Sequence, residues 1–395
     1  MQAPVVPTLS DVIAALEARY DPTLAETWDA VGLVCGDPDV AVRRVMFAVD
    51  PVASTVDEAI EARMDLLVTH HPLFLSGVHG VPASDPKGRL VHRLISAGCG
   101  LFVAHTNADR ARPGVSDALA AAVGLGATAP LEPADTTALD KIIAFVPTEA
   151  AQLIVDALSE AGAGAIGDYS RAAFLNEGTG TFIPEPGANP VIGAVGSVEE
   201  VAESRIEMVF PRWRRAPVVQ ALRAAHPYEE PAYNIVGLAS LPSTRRGLGR
   251  IGALEQPQSL REFAAQVLRG LPMTASGVRI AGDPDREIRT VAVCGGSGGS
   301  LIETARAAGA DAFLTSDLRH HVVSESRESS DLSLLDAPHW ATEWPWLPVA
   351  AELLRQDLSD DMIDVTVSAR RTDPWNAAMQ ATSTREAPDG GAQQW

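Results

Sequence analysis

The chain has 395 residues, of which 46% are apolar and 21% charged, enough for two or more domains with ordinary globular cores. Its formal net charge of −20 repels phosphate backbones, so general nucleic-acid binding is not expected. No apolar run approaches the length that spans a bilayer, so no membrane partner is expected either.

In chain order, Leu9-Ser10-Asp11 ahead of Val12 to Leu16 predicts a capped amphipathic helix. Strands are predicted at 44–50, 65–70 and 100–105, separated by helices at 53–62 and 88–97 and followed by a helix at 115–123. Strands and helices alternating at this spacing predict βαβ units and an α/β fold with mostly parallel or mixed sheets flanked by helices. The pattern changes near residue 140. A strand at 141–147, a helix at 149–161, a glycine-rich stretch at 162–196, a strand at 204–210, a helix at 217–225 and a strand at 232–236 predict an inserted ferredoxin-like α+β domain over 139–241. The α/β pattern then resumes. A helix is predicted at 259–268, a strand at 290–294, a helix at 301–308, strands at 312–315 and 332–336, a helix at 345–358 and a last strand at 364–368. One discontinuous domain is thus expected from 1–138 and 242–375. The polar tail 376–395 is expected to be disordered. No short-period repeat is found.

Met1-Gln2-Ala3-Pro4 lacks a basic segment followed by an apolar one, so no export signal is expected. Cys35, Cys99 and Cys294 are few, odd in number and isolated. That argues against a disulfide framework and for a reducing cytoplasm, and against a cysteine-ligated zinc site.

The histidines are unevenly placed. His70 and His71 end one predicted strand. His105 ends the next, within His105-Thr106-Asn107-Ala108-Asp109. His339 follows a late strand, four residues before Glu343. In parallel α/β sheets functional groups collect at the carboxyl ends of strands. A single histidine at such a place is commonly only a satisfied polar residue, but three such segments together point to a metal site. Imidazole with carboxylate suits Zn, Fe, Mn or Ni better than Ca or Mg. Adjacent residues in extended chain point to opposite sides, so His70 and His71 are expected to serve different ions. Two ions about 3.5–4 Å apart could share a bridging carboxylate. A helical turn would put His339 and Glu343 on one face. The run Gly295 to Ser300 fits either an anion cradle or a tight turn with close helix packing. Asp317, His320 and His321 are expected beside the site.

The segments Trp28-Asp29-Ala30-Val31-Gly32-Leu33, Thr69-His70-His71-Pro72-Leu73 and His105 to Asp109 resemble the N-terminal signatures of one family. Cys294-Gly295-Gly296-Ser297-Gly298, Thr315-Ser316-Asp317 with His321, and His339 with Glu343 resemble its C-terminal ones. The family is that of the GTP cyclohydrolase 1 type 2 homologues, Nif-three-like proteins with a dinuclear metal centre. The resemblance runs from about Leu9 to Trp375. It implies two divalent transition metal ions per subunit, held by His70, His71, Asp109, His339 and Glu343, with Glu343 bridging. It also implies a toroidal homohexamer. The inserted domain, through Tyr169, Phe174, Gly178 to Phe182, Pro184, Glu203, Glu207 and His226 to Pro231, resembles the family's optional middle domain, which is similar to PII and CutA folds. This chain departs from the family at Ser316, where glycine is usual before the aspartate. It departs again at Pro338, where glycine is usual before the late histidine.

The function expected from these features is metal-dependent hydrolysis of a nucleotide-like small molecule at a C=N or phosphoryl centre, with His105 as the proton-transfer residue. The other class that fits is a non-enzymatic metal-handling or regulatory ring with a ligand-sensing insert.

Overall fold

Strand formation follows the buried β-branched and aliphatic runs, and the order of strands decides where the histidine segments end up. The computed structural model describes residues 6–135, 138–358 and 363–379; positions 380–395 of the tail lie outside the described residues. The described strands are β1 (Gly32–Cys35), β2 (Arg44–Ala48), β3 (Leu66–Thr69), β4 (Gly100–Val103), β5 (Leu125–Asp135), β6 (Leu139–Pro147), β7 (Phe174–Phe182), β8 (Glu199–Pro211), β9 (Tyr233–Gly237), β10 (Pro242–Ser259), β11 (Arg279–Ala281), β12 (Glu287–Val293), β13 (Ala312–Thr315), β14 (Ser333–Asp336) and β15 (Asp364–Val367). The chain divides into two compact units, Met1–Ala134 with Thr244–Trp395, and Asp135–Ser243.

The first unit holds two mixed sheets, of order β1-β4-β3-β2-β15 and β11-β14-β13-β12-β10-β5. In each, three strands consecutive in the chain run parallel, β2 to β4 and β12 to β14, and an antiparallel strand closes one edge: β1 on β4, and β11 on β14; β15 adds a fourth parallel strand beside β2. The order edge, third, second, first is therefore repeated. The sequence shows no short-period repeat, yet the topology is duplicated.

Side-chain alternation explains why these strands read as continuous apolar runs. Val45, Phe47, Leu66, Val68 and Phe102 face a core shared with Val291, Val293, Ala312, Leu314 and Leu335 of the other sheet. Their neighbours Met46, Leu67 and Leu101 face helices Ala53–Glu61 and Pro86–Ala97. Ala292, Phe313 and Leu334 face helix Ile302–Ala307. A sheet covered on both faces has no polar side to show. Helices Val115–Ala122 and Trp346–Leu358 fill the layer between the sheets. Arg250 on β10 is fully buried there, bound by Asp117 through both nitrogen–oxygen contacts (2.7 and 2.6 Å) and by the carbonyls of Gly247, Gly249 and Ala111. A buried guanidinium is tolerated when its donors are satisfied in this way.

The second unit is a βαββαβ module of strand order β7-β8-β6-β9, all antiparallel, with helices Ala151–Glu160 and Arg215–Ala225. That is ferredoxin-like topology. Strand β7 lies inside the stretch whose glycines had suggested turns. It is exposed, and survives by pairing along its whole length with β8.

Candidate metal centre

The carboxyl ends of three strands supply the donors. β3 ends at Thr69, and the next two residues are His70 and His71. β4 leads through Ala104 and His105 into the short helix Thr106–Arg110, which carries Asp109. β14 leads through Ala337 and Pro338 into the short helix His339–Glu343. Pro338 sits at the cap with φ −59°, where no backbone N–H is needed, and its carbonyl accepts from Thr342 N. His339 is accordingly aimed inward.

The side chains converge on Glu343, which is 3% exposed. His339 Nε2 lies 2.8 Å from Glu343 Oε1, His70 Nε2 3.5 Å from the same oxygen, and His71 Nε2 3.2 Å from Oε2. Asp109 Oδ1 is 3.8 Å from His70 Nε2. Two donor groups stand within metal-binding reach of one another, His70 with His71 and His105, and His71 with His339 and Glu343. The expectation that His70 and His71 point apart does not hold. The strand ends at Thr69, whose hydroxyl donates to the His71 carbonyl, and the bent backbone turns both rings to one side, 5.1 Å apart.

Each imidazole is held from behind. His70 Nδ1 bonds the Ala104 carbonyl at 2.9 Å, and Trp346 packs 5.5 Å from its ring. His71 Nδ1 meets Asp50 Oδ1 at 2.7 Å, His105 Nδ1 meets Asp29 Oδ1 at 2.8 Å, and His339 Nδ1 meets Asp317 Oδ2 at 2.6 Å. An acceptor at Nδ1 fixes the proton there and leaves Nε2 as the inward lone pair, the arrangement that orients metal-binding histidines. Asp317 was expected beside the site. Asp50 and the holding role of Asp29 were not, although Trp28-Asp29 belongs to a recognised segment. His320 and His321 pack against each other on a helix that follows Asp317 and are not in the donor groups.

The electrostatics favour positive charge at the centre. Burial alone would raise the Glu343 carboxyl, but the charges of His71, His339 and His70 hold it well below the usual range. Burial opposes protonation of the three rings, yet Glu343 outweighs it: His70 is raised, His71 to about 11 and His339 to about 9. Burial lifts Asp109 to about 6. Burial and the charge of His70 lower His105 to about 4. Glu343 Oε2 is buried and makes no hydrogen bond among the described residues; His71 Nε2 is near but out of line. An orphaned buried carboxylate oxygen beside three back-held imidazoles, His70, His71 and His339, fits a divalent cation.

The glycine run provides clearance. A Cβ at Gly296, whose φ is +65°, would stand 2.4 Å from Glu343 Oε1, and one at Gly298 would stand 2.5 Å from Thr315 Oγ1. The loop is close packing against the centre, which is what the tight-turn alternative required. His71 and His339 also line a cavity of about 660 Å3, walled by Arg279, Asp317, Asp373 and Trp375.

The DUF34/NIF3 (NGG1p interacting factor 3) family profile matches residues 7–374. The chain belongs to the DUF34/NIF3 family. A family relative from Mycobacterium tuberculosis, named GTP cyclohydrolase 1 type 2 homolog, is 52% identical over 369 residues, covering 93% of this chain and 96% of the relative. The crystal structure of a Bacillus cereus protein related to NIF3 is 33% identical and superposes with a TM-score of 0.73 over 95% of this chain and all of that one. The Staphylococcus aureus protein SA1388 gives 27% identity and a TM-score of 0.79, again over 95% of this chain and all of that one. In this DUF34/NIF3 chain the five residues His70, His71, Asp109, His339 and Glu343 are brought together, and His105 joins them. No helix among the described residues is long and apolar enough to cross a membrane.

Proposed function

We propose that the chain holds two divalent transition metal ions and hydrolyses a nucleotide-like substrate. The observation that carries this is the buried Glu343 carboxylate, with one oxygen unbonded, facing the Nε2 atoms of three imidazoles, His70, His71 and His339. His71 and His339 would hold one ion, His70 and Asp109 the other, with Glu343 shared between them. Ions bound there would supply Lewis-acid polarisation and stabilise negative charge developing on the substrate.

The chain's own residues do the rest. Asp50, Asp29, Asp317 and the Ala104 carbonyl fix the rings, so little reorganisation accompanies reaction. His105, unprotonated at neutral pH and oriented by Asp29, is the proton acceptor. On the cavity wall Arg279, whose guanidinium is paired with Asp336 and keeps further N–H donors, and Trp375 supply a donor edge and an aromatic surface suited to a phosphate and a base. Resemblance to the family supports a homohexamer, which light scattering tests directly; a stable monomer at micromolar concentration would reject it.

The deciding experiment is metal analysis of untagged protein, with nucleotide turnover followed by release of phosphate or formate. Two ions per chain and turnover that disappears on chelation are expected. A fully metal-loaded protein that leaves nucleotides intact would overturn the hydrolase assignment.

A further inference from the structure

The ferredoxin-like unit contains a cavity of its own, of about 360 Å3, within the range of small-ligand sites. Its wall is largely apolar, formed in part by Phe145, Phe182 and Ile192, and no lysine or arginine among the described residues lines it. Three carboxylates do: Glu203, Glu229 and Glu230. Glu230 is turned outward to Arg223 at 3.6 Å, and Glu229 accepts the Asn189 backbone N–H at 3.2 Å. Glu203 is the anion left to the interior.

Two features mark Glu203 as built into a site. Its strand position on β8 pairs with Gly178 of β7, and a Cβ on the nearby Gly180 would stand 2.1 Å from Glu203 Oε2. Only a strand without side chains there can pass over the carboxylate. Beside it, the Tyr228 hydroxyl is buried and makes no hydrogen bond among the described residues. Burial, then the charge of Glu203 and a loose contact with its carboxylate, pushes that phenol up to about 12, so it remains a neutral O–H with a free lone pair. The Tyr228 and Phe182 rings stand edge to face, 5.8 Å apart.

A half-buried carboxylate, a hydroxyl lacking a partner and two aromatic rings in a cavity without a basic side chain are complementary to one kind of ligand. We propose that this cavity binds a small primary ammonium with an apolar body. The ammonium donates to the Glu203 carboxylate and the Tyr228 oxygen and gains from the aromatic faces, while the apolar body fills the space against Phe145 and Ile192. A neutral molecule of the same shape would cover the half-buried Glu203 carboxylate without supplying it a cation.

Calorimetry on the full chain tests this, with phenethylamine and isoamylamine as probes and 2-phenylethanol as the neutral match to the first. Saturable binding of at least one amine, one per chain, is expected, with phenylethanol at least tenfold weaker than phenethylamine. Glu203→Gln is expected to weaken amine binding at least tenfold and Gly180→Ala to abolish it. Glu229→Gln is expected to change it less than threefold, because that carboxylate already serves Asn189. Hydrogen exchange of the β6 and β8 backbone amides serves as the folding control in all three variants, because it reports on the unit that holds the cavity. Failure of both amines to bind the parent chain, equal binding of amine and alcohol, or unchanged binding in Glu203→Gln would each overturn the proposal.

Discussion

The two halves of the larger unit are built alike and used differently. Each begins with an antiparallel edge strand and continues through three parallel ones, β1 to β4 and β11 to β14. Each carries an aspartate just before its middle parallel strand. Asp65 accepts the backbone N–H groups of Arg43 and Arg44, and Asp311 those of Arg289 and Thr290. The matched strand registers then align His70 with Ser316 and His71 with Asp317. The first half therefore supplies two imidazoles where the second supplies a hydroxyl and a carboxylate. Asp317 holds His339 from behind, whereas its counterpart His71 faces the centre. Where the first half places Asp50, the second places Gly296, whose missing side chain makes room for Glu343. One scaffold thus presents His70, His71 and Asp109 from one half and, from the other, the Glu343 carboxylate with His339, showing that position at a strand end permits a ligand without dictating one.

The comparison breaks most sharply at Glu343. If both ions share it, Glu343→Gln is expected to weaken the second ion by more than the ~10–100-fold typical of a lost outer contact, and Glu343→Asp by less. Metal stoichiometry at matched free metal checks this, and two tightly bound ions in the Gln variant would end the bridging assignment. The aligned pair His71 and Asp317 sharpens it. His71→Ala is expected to empty at least one site, while Asp317→Ala keeps both sites with about 10–100-fold weaker affinity, because it only orients His339. Equal metal loss in the two variants would mean that their roles are not distinct.

A smaller effect is expected from pH. His71 and His339 are raised on folding, so in metal-free protein they contribute stability that is full below about 6.5 and is lost as pH rises through about 9 and then about 11. The melting temperature of chelated protein should therefore fall across that range, where metal-loaded protein, whose rings carry no proton at Nε2, should show no such titration. A metal-free curve flat from pH 7 to 11 would contradict the arrangement of charges. The smallest functional effect is expected at the two caps. Asp65→Ala and Asp311→Ala each remove the acceptor of two backbone N–H groups, one exposed to water and one half-buried, so a loss of about 1–3 kcal/mol in all is expected, and metal content should be unchanged in both. Denaturant unfolding and metal analysis together decide it.

Much of this was legible in the sequence because it depends on local pattern. The apolar runs of β2, β3, β12 and β13 announce strands buried on both faces, and His339 with Glu343 announces a helical turn. The edge strands β9 and β15 were read, but β1, β11 and β7 were not. β1 is half-buried throughout and β11 has only three residues, so neither makes a run. β7 carries Gly178 and Gly180, residues that disfavour strands and here make room for Glu203. At the centre, the donor residues stood out as motifs, but Asp50 did not: an aspartate at a strand end looks like any solvated acid until the fold sets it against His71. The turning of His70 and His71 to one side was equally hidden, since it depends on the strand stopping one residue before them.

The ion pair between Arg250 and Asp117 joins residues 133 positions apart. β15 likewise pairs with β2 across most of the chain, and Glu343 meets His70 from far downstream. At about 5–20 residues per second of synthesis, the interval between His70 and Glu343 leaving the ribosome is on the order of tens of seconds. Throughout it the first half of the molecule has its fold pattern but neither its second sheet nor the carboxylate its histidines surround. An ion that needs Glu343, as proposed above, would therefore be acquired only once nearly the whole chain has been made, whereas the group of His70, His71 and His105 is in place much earlier.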